Sequence, residues 1–182
     1  MITQVNEGNY FGLTLDRPFH LSVGGIALDQ TGNVYCLHYP QIDELKDIYV
    51  LPNKTLRKEE TLEAALRRGM RAEIGCEIEI ITFLGTLVTQ DSWCGEINQP
   101  ISMEKSVVFF LAKVVTFDAK IAQAENEKEH RDIQIQPLSF LIEKMGHLKV
   151  KDGMRDFNQL EILLRAKEWI ATHPGLLSPT LY

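Results

Sequence analysis

No stretch of this 182-residue sequence approaches the roughly 18 consecutive apolar residues that a membrane-spanning helix needs. The N-terminus, MITQVNEGNYFG, has neither the basic start nor the apolar core of a secretory signal. A membrane partner is therefore not expected, and the chain reads as cytoplasmic. Positive charge is not in excess either. With 19 Lys and Arg against 25 Asp and Glu, the formal net charge is −6, the wrong sign for binding nucleic acid or an anionic membrane through a broad basic face. Cysteine is scarce: Cys36, Cys76 and Cys94 are odd in number and lack C-x-x-C spacing, which fits neither a disulfide framework nor a thiolate zinc site. Repeats and low-complexity linkers are absent too. What is present is a 45% hydrophobic content, enough to build one sizeable core. Since domains commonly run to about 100–200 residues, a single domain spanning 1–182 is expected.

The patterning alternates between strand and helix. HLSVGGIALDQTGNVYCLHY places two β-rich runs around Gln30-Thr31-Gly32-Asn33, a hairpin signal because Gly and Asn tolerate the positive φ of tight turns. KDIYVLP reads as a third short strand stopped by Pro52, which has no N–H to give to a ladder. From Thr61 the apolar spacing becomes helical, through Leu62, Ala65, Leu66, Met70 and Ile74, with Thr61 as N-cap and Gly75 as the residue past the C-terminus. EIEIITFLGTLVTQ and SVVFFLAKVV return to strand, separated by a long loop containing Trp93. AQAENEKEHRDIQIQPLSFLIEKM reads as an acidic loop, a short strand and a short helix. DFNQLEILLRAKEWIATHP predicts a C-terminal amphipathic helix over about 156–172, with Phe157, Leu160, Leu163, Leu164 and Ile170 inward. The expected class is α/β (α+β), a mixed β-sheet sandwiched between helices. Gly24-Gly25 inside the first strand predicts a bulge or a close backbone approach to a ligand.

The segment LPNKTLRKEETLEAALRRGMRAEIG resembles the box of the Nudix hydrolase superfamily, G-x5-E-x7-R-E-U-x-E-E-x-G-U with U a bulky apolar residue. Without a gap, Glu60 falls on the first glutamate, Arg68 on the arginine, Met70 on the first apolar position, Glu73 on the last glutamate of the pair and Gly75 on the late glycine. The resemblance covers nearly the whole chain, with the box at about 54–76. Departures from it are that Lys54 replaces the opening glycine, Gly69 and Ala72 replace two glutamates, and Cys76 replaces the final apolar residue. The box is therefore degenerate. In a helix, positions 69, 72 and 73 share a face, and the missing carboxylates are the ones that would converge on a metal cluster.

By this resemblance, Glu73, Glu60, Arg68 and a loop acid are the catalytic candidates, with Glu129 the first choice over Glu125, Glu127 and Asp132. Glu73 and Glu129 are the metal candidates, for a weakly bound Mg2+ or Mn2+. Arg68 would orient carboxylates through charge-assisted hydrogen bonds, with Glu60 or Glu73 as its partner. Lys54, Tyr49 and Trp93 are candidates for lining a nucleotide pocket, the aromatics by stacking or else simply by packing. Three functions stay open. One is a nucleotide- or diphosphate-binding protein with weak or lost hydrolysis. Another is an active metal-dependent hydrolase of nucleoside diphosphates linked to another moiety. The third is a structural interaction module working through its terminal helix or sheet edge. A small-molecule partner is implied by the first two, and a homodimer is compatible with all three.

Overall fold

The computed structural model describes residues 4–5, 11–13, 19–42, 45–93, 101–148 and 158–175. The elements are β1 (Gln4–Val5), β2 (Phe11–Leu13), β3 (Phe19–Leu28), β4 (Asn33–Ile42), β5 (Leu45–Val50), β6 (Asn53–Thr55), α1 (Leu62–Ile74), β7 (Cys76–Trp93), β8 (Ile101–Phe117), a 3-10 turn (Ala119–Ile121), α2 (Gln123–Lys128), β9 (Asp132–Pro137), α3 (Leu138–His147) and α4 (Leu160–Thr172). The nine strands among the described residues join one mixed sheet.

The sheet splays at its centre. β3 runs parallel to β8 from Phe19↔Glu104 to Leu28↔Lys113, but meets β4 only at Ala27↔Tyr35 and Leu28↔Val34. Beyond that point β3 takes β6 as its antiparallel neighbour, from Ser22↔Thr55 to Gly24↔Asn53. β4 diverges to pair with β5 and, on its other side, with β9. The turn between β3 and β4 forms where the composition predicted it. Asp29 Oδ1 accepts from the N–H groups of Thr31 at 2.8 Å and Asn33 at 2.9 Å, and Gly32 sits at φ 86°. β7 and β8 are longer than their apolar runs suggested, extending to Trp93 and starting at Ile101.

Two apolar layers flank the sheet. On one side α1 lays Ala65, Leu66, Met70 and Ile74 against Val23, Ala27, Tyr35 and Ala112. On the other, α3 and α4 bring Leu141, Met145, Ile162, Leu163 and Ala166 against Ile26, Leu28, Cys36 and Phe109. α1 has the expected ends: the Thr61 hydroxyl accepts from Ala64 N, and Gly75 adopts a left-handed conformation at φ 78°. Leu62, expected inward, is 37% exposed. Each four-residue step along a helix turns about 40° past a full circle, so the row 62, 66, 70, 74 rotates out of the buried face at its first member.

The acidic loop expected over ENEKEHRD is helical as far as Lys128, in α2. α4 begins later than predicted, and Phe157 lies outside the described residues. Leu164 was expected inward but is 45% exposed, because Ile162, Leu163 and Ala166 take the inward face. Gly24-Gly25 is a close approach of the chain to itself. A Cβ on Gly24 would lie 2.8 Å from both Phe109 Cε1 and Pro52 O, and one on Gly25 2.7 Å from Met70 Cε. The pair lets β6, β8 and α1 close on β3.

Candidate functional site

The approach to α1 is fixed by an ion pair. Arg68 extends from the helix toward the segment preceding it and holds Glu60 in a fork, Nε to Oε1 at 2.8 Å and Nη2 to Oε2 at 2.8 Å. The same Nη2 donates to Thr55 O at 2.9 Å, and Glu60 Oε2 accepts from Arg57 N at 3.1 Å. The Arg68 guanidinium holds the Glu60 carboxyl below its ordinary range, more than offsetting its partial burial. A bidentate pair that also bonds the backbone on both sides is a clamp. It ties β6 and the loop after it to the middle of α1.

Glu73, one turn on, is 5% exposed. Its Oε1 lies 3.3 Å from Lys54 Nζ and 3.9 Å from Arg131 Nη2. Lys54 comes from β6, which Gly69 admits to the flank of α1: a Cβ at position 69 would stand 3.1 Å from Lys54 Cβ. Glycine in a helix interior costs about 0.5–1 kcal/mol relative to alanine, and here the close strand explains it.

Arg131 is the hub. Its side chain is 3% exposed. Nε donates to Asn126 Oδ1 at 3.0 Å, Nη1 donates to Tyr39 OH at 2.9 Å, and Nη1 lies 2.8 Å from Glu129 Oε2. Tyr39 OH in turn donates to Glu129 Oε2 at 3.3 Å. Burial disfavours the Arg131 charge, but Glu73, Tyr39 and Glu129 outweigh it and push its pKa up. Burial likewise raises the Tyr39 hydroxyl, against the pull of Arg131.

Glu73, Glu129 and Lys54 are therefore brought together, and Glu60 with Arg68 forms a separate clamp on the same helix. Arg68 pairs with Glu60, one of the two partners expected for it. Tyr49 lies elsewhere. It pairs with His38 across β4 and β5, stacks edge-on to Phe140 at 5.2 Å and belongs to the core layer under α3 and α4, on the face away from α1. The side chains of Trp93 and Glu125 lie outside the described residues. Glu127 accepts from Gln123 Nε2 at 2.8 Å, and Asp132 faces His38 Nδ1 at 2.9 Å. Sequence reasoning missed Arg131, Tyr39 and Asn126. A lone arginine ending the acidic run ENEKEH was the available signal, but nothing in the run shows that it turns inward.

This donor set does not fit a divalent cation. Among the described residues, no group of three or more His, Cys, Asp or Glu side chains is arranged to hold a metal ion. Of the two candidate ligands, Glu73 already faces two cations and Glu129 one. An oxygen-seeking dication would have to displace a buried guanidinium. The buried thiols are inert too, with burial pushing Cys36 and Cys76 up to about 12.

No protein-family model matches the sequence, and no curated protein matches it. Solved structures do. A NUDIX hydrolase from Nitrosomonas europaea superposes with a TM-score of 0.55 at 14% identity, over 84% of this chain and 89% of that one. The E. coli ORF135 protein gives 0.54 at 14%, over 90% and 99%. The MutT protein from Methanosarcina mazei Go1 gives 0.53 at 18%, over 85% and 99%. The chain has the Nudix fold, and at these identities the likeness speaks for the fold alone.

Proposed function

We propose that this protein is a Nudix-fold binder of a small nucleotide or other diphosphate-bearing molecule, with weak or no hydrolysis. The observation that supports it is the environment of Glu73. Lys54 Nζ and Arg131 Nη2 face its carboxylate, while helix positions 69 and 72 carry Gly and Ala. Glu73 and Glu129 serve here as counter-ions to a guanidinium instead of as ligands to a metal. Hydrolysis by this fold would need a dication to stabilise charge on the phosphoanhydride, and losing such stabilisation costs several kcal/mol, with each ~1.36 kcal/mol a factor of ten in rate. Lys54, in the middle of β6 with a side chain 27% exposed, is our candidate for meeting an anionic phosphate directly.

Any Mg2+ or Mn2+ would be held weakly, and such a ligand would be met in the cytoplasm. No helix among the described residues is long and apolar enough to cross a membrane. The test is a hydrolysis screen with Mg2+ and Mn2+ over nucleotide sugars, dinucleoside polyphosphates and nucleoside triphosphates, run beside thermal-shift binding of the same compounds. Binding without comparable turnover is expected. Turnover at an ordinary enzymatic rate, abolished by Glu73→Gln, would overturn the proposal.

A further inference from the structure

A hard dication at a diphosphate is held by oxygen donors, from one or two carboxylates and from the ligand itself. Here the group facing the Glu73 carboxylate at 3.3 Å is the Lys54 ammonium. The backbone fixes where that ammonium starts. β6 pairs with β3 on either side of Lys54, at Ser22↔Thr55 and Gly24↔Asn53. Arg68 Nη2 donates to Thr55 O at 2.9 Å, and Leu56 N donates to Leu21 O at 3.0 Å. Gly69 gives the lysine stem its room, since a Cβ at 69 would stand 3.1 Å from Lys54 Cβ.

The pair is lopsided toward solvent. The Lys54 side chain is 27% exposed and that of Glu73 is 7% exposed, so the ammonium is the more open of the two to an incoming group. Beneath it, Arg131 Nη2 lies 3.9 Å from the same Glu73 oxygen, and Glu129 pairs with Arg131 from its other side. The formal charges of Lys54, Arg131, Glu73 and Glu129 balance. It is therefore the exposed position of Lys54 that sets the sign offered to a ligand. A bare diphosphate oxygen can accept from this ammonium, a compact point charge suited to phosphate. A diphosphate that already carries Mg2+ would bring a dication against it, and the Glu73 carboxylate is engaged by two cations.

We infer, resting on the diphosphate binding proposed above, that the site takes its diphosphate free of metal. Lys54 supplies the positive charge that a dication would, and makes the site select the uncomplexed anion over its Mg2+ complex.

Inorganic pyrophosphate and adenosine 5′-diphosphate are the probes, titrated calorimetrically into the full chain with EDTA and with Mg2+ at matched ionic strength. The same titrations follow for Lys54→Met, Lys54→Arg and Glu73→Gln, with each variant's melting temperature measured first. Where Mg2+ complexes roughly nine-tenths of the probe, the apparent affinity should fall about tenfold, since only the free anion is competent. Lys54→Met should weaken metal-free binding roughly tenfold while Lys54→Arg retains most of it. Glu73→Gln removes a counter-ion from Lys54 and should strengthen metal-free binding about threefold. Should Lys54→Met or Glu73→Gln melt early, Lys54→Arg and the magnesium comparison in the unaltered chain carry the test. Affinity that Mg2+ leaves unchanged or raises overturns the inference while diphosphate binding stands, as does metal-free binding that Lys54→Met leaves unchanged. Absence of binding by both probes in both buffers overturns the inference and the proposed function together.

Discussion

Replacing Arg131 by Met tests whether this arginine is the counter-ion that Glu73 requires. The substitution keeps much of the buried aliphatic volume and removes the hydrogen bonds to Asn126 and Tyr39, at 3.0 and 2.9 Å, and the ion pairs to Glu129 and Glu73, at 2.8 and 3.9 Å. The Glu129 side chain is 43% exposed, so screening leaves that pair contributing well under about 1 kcal/mol. Glu73 differs, because its side chain is 7% exposed. Removing one partner of a buried pair costs about 3–5 kcal/mol, much of it the price of the charge left behind. Lys54 still faces Glu73 at 3.3 Å, which moves the expectation to the lower end, about 3 kcal/mol. At about 2–4 °C per kcal/mol for a chain of this size, the melting temperature should fall by roughly 6–12 °C. Denaturant unfolding of Arg131→Met, Glu73→Gln and the double variant closes a cycle whose coupling should be about 1–3 kcal/mol. A single-variant cost below about 1 kcal/mol, or a coupling below about 0.5 kcal/mol, refutes the counter-ion role.

Four further outcomes are expected. Gly69→Glu with Ala72→Glu should by itself raise Mn2+ affinity little, because a Cβ at 69 meets Lys54 Cβ at 3.1 Å and the Lys54 ammonium faces Glu73. Adding Lys54→Gly should raise it about tenfold or more by calorimetry, and equal affinities for the double and triple variants would show that Lys54 is no obstacle. Glu60 titrates below its ordinary 4.5 because Arg68 holds it ionised. Its stabilisation is thus present above that value and lost as pH falls through the lowered native pKa, so Glu60→Gln should lower the urea midpoint near neutrality and flatten its decline below roughly pH 4.5. Gly24→Ala, whose Cβ would press on Pro52 O and Phe109, should destabilise the fold by about 1–3 kcal/mol. Gly146→Ala, with nothing within 4 Å, should stabilise α3 by roughly 0.4–1 kcal/mol in the same thermal assay.

What the sequence determined by itself was local. Thr61 and Gly75 mark α1 because a hydroxyl that accepts a backbone N–H and a residue tolerant of positive φ are properties of single positions. The turn at Asp29–Asn33, the stop at Pro52 and the strand runs of β7 and β8 were legible for the same reason. The Glu60–Arg68 pairing was legible as one of two alternatives, since only seven residues intervene and the box pattern constrains both ends. The tertiary structure decided whatever depends on long-range approach. Gly24-Gly25 reads as an opening toward a ligand until β6, β8 and α1 are seen filling the space. Tyr49, beside the box in sequence, faces the opposite layer because side chains alternate across a strand and β5 is paired with β4. The second cation facing Glu73, beside Lys54, could not be read at all. Arg131 lies 58 positions away, in a run whose composition is that of a solvated surface. Only the joining of β9 to β4, with α2 folded beside α1, carries that guanidinium out of water to a carboxylate that would otherwise be buried without sufficient opposing charge.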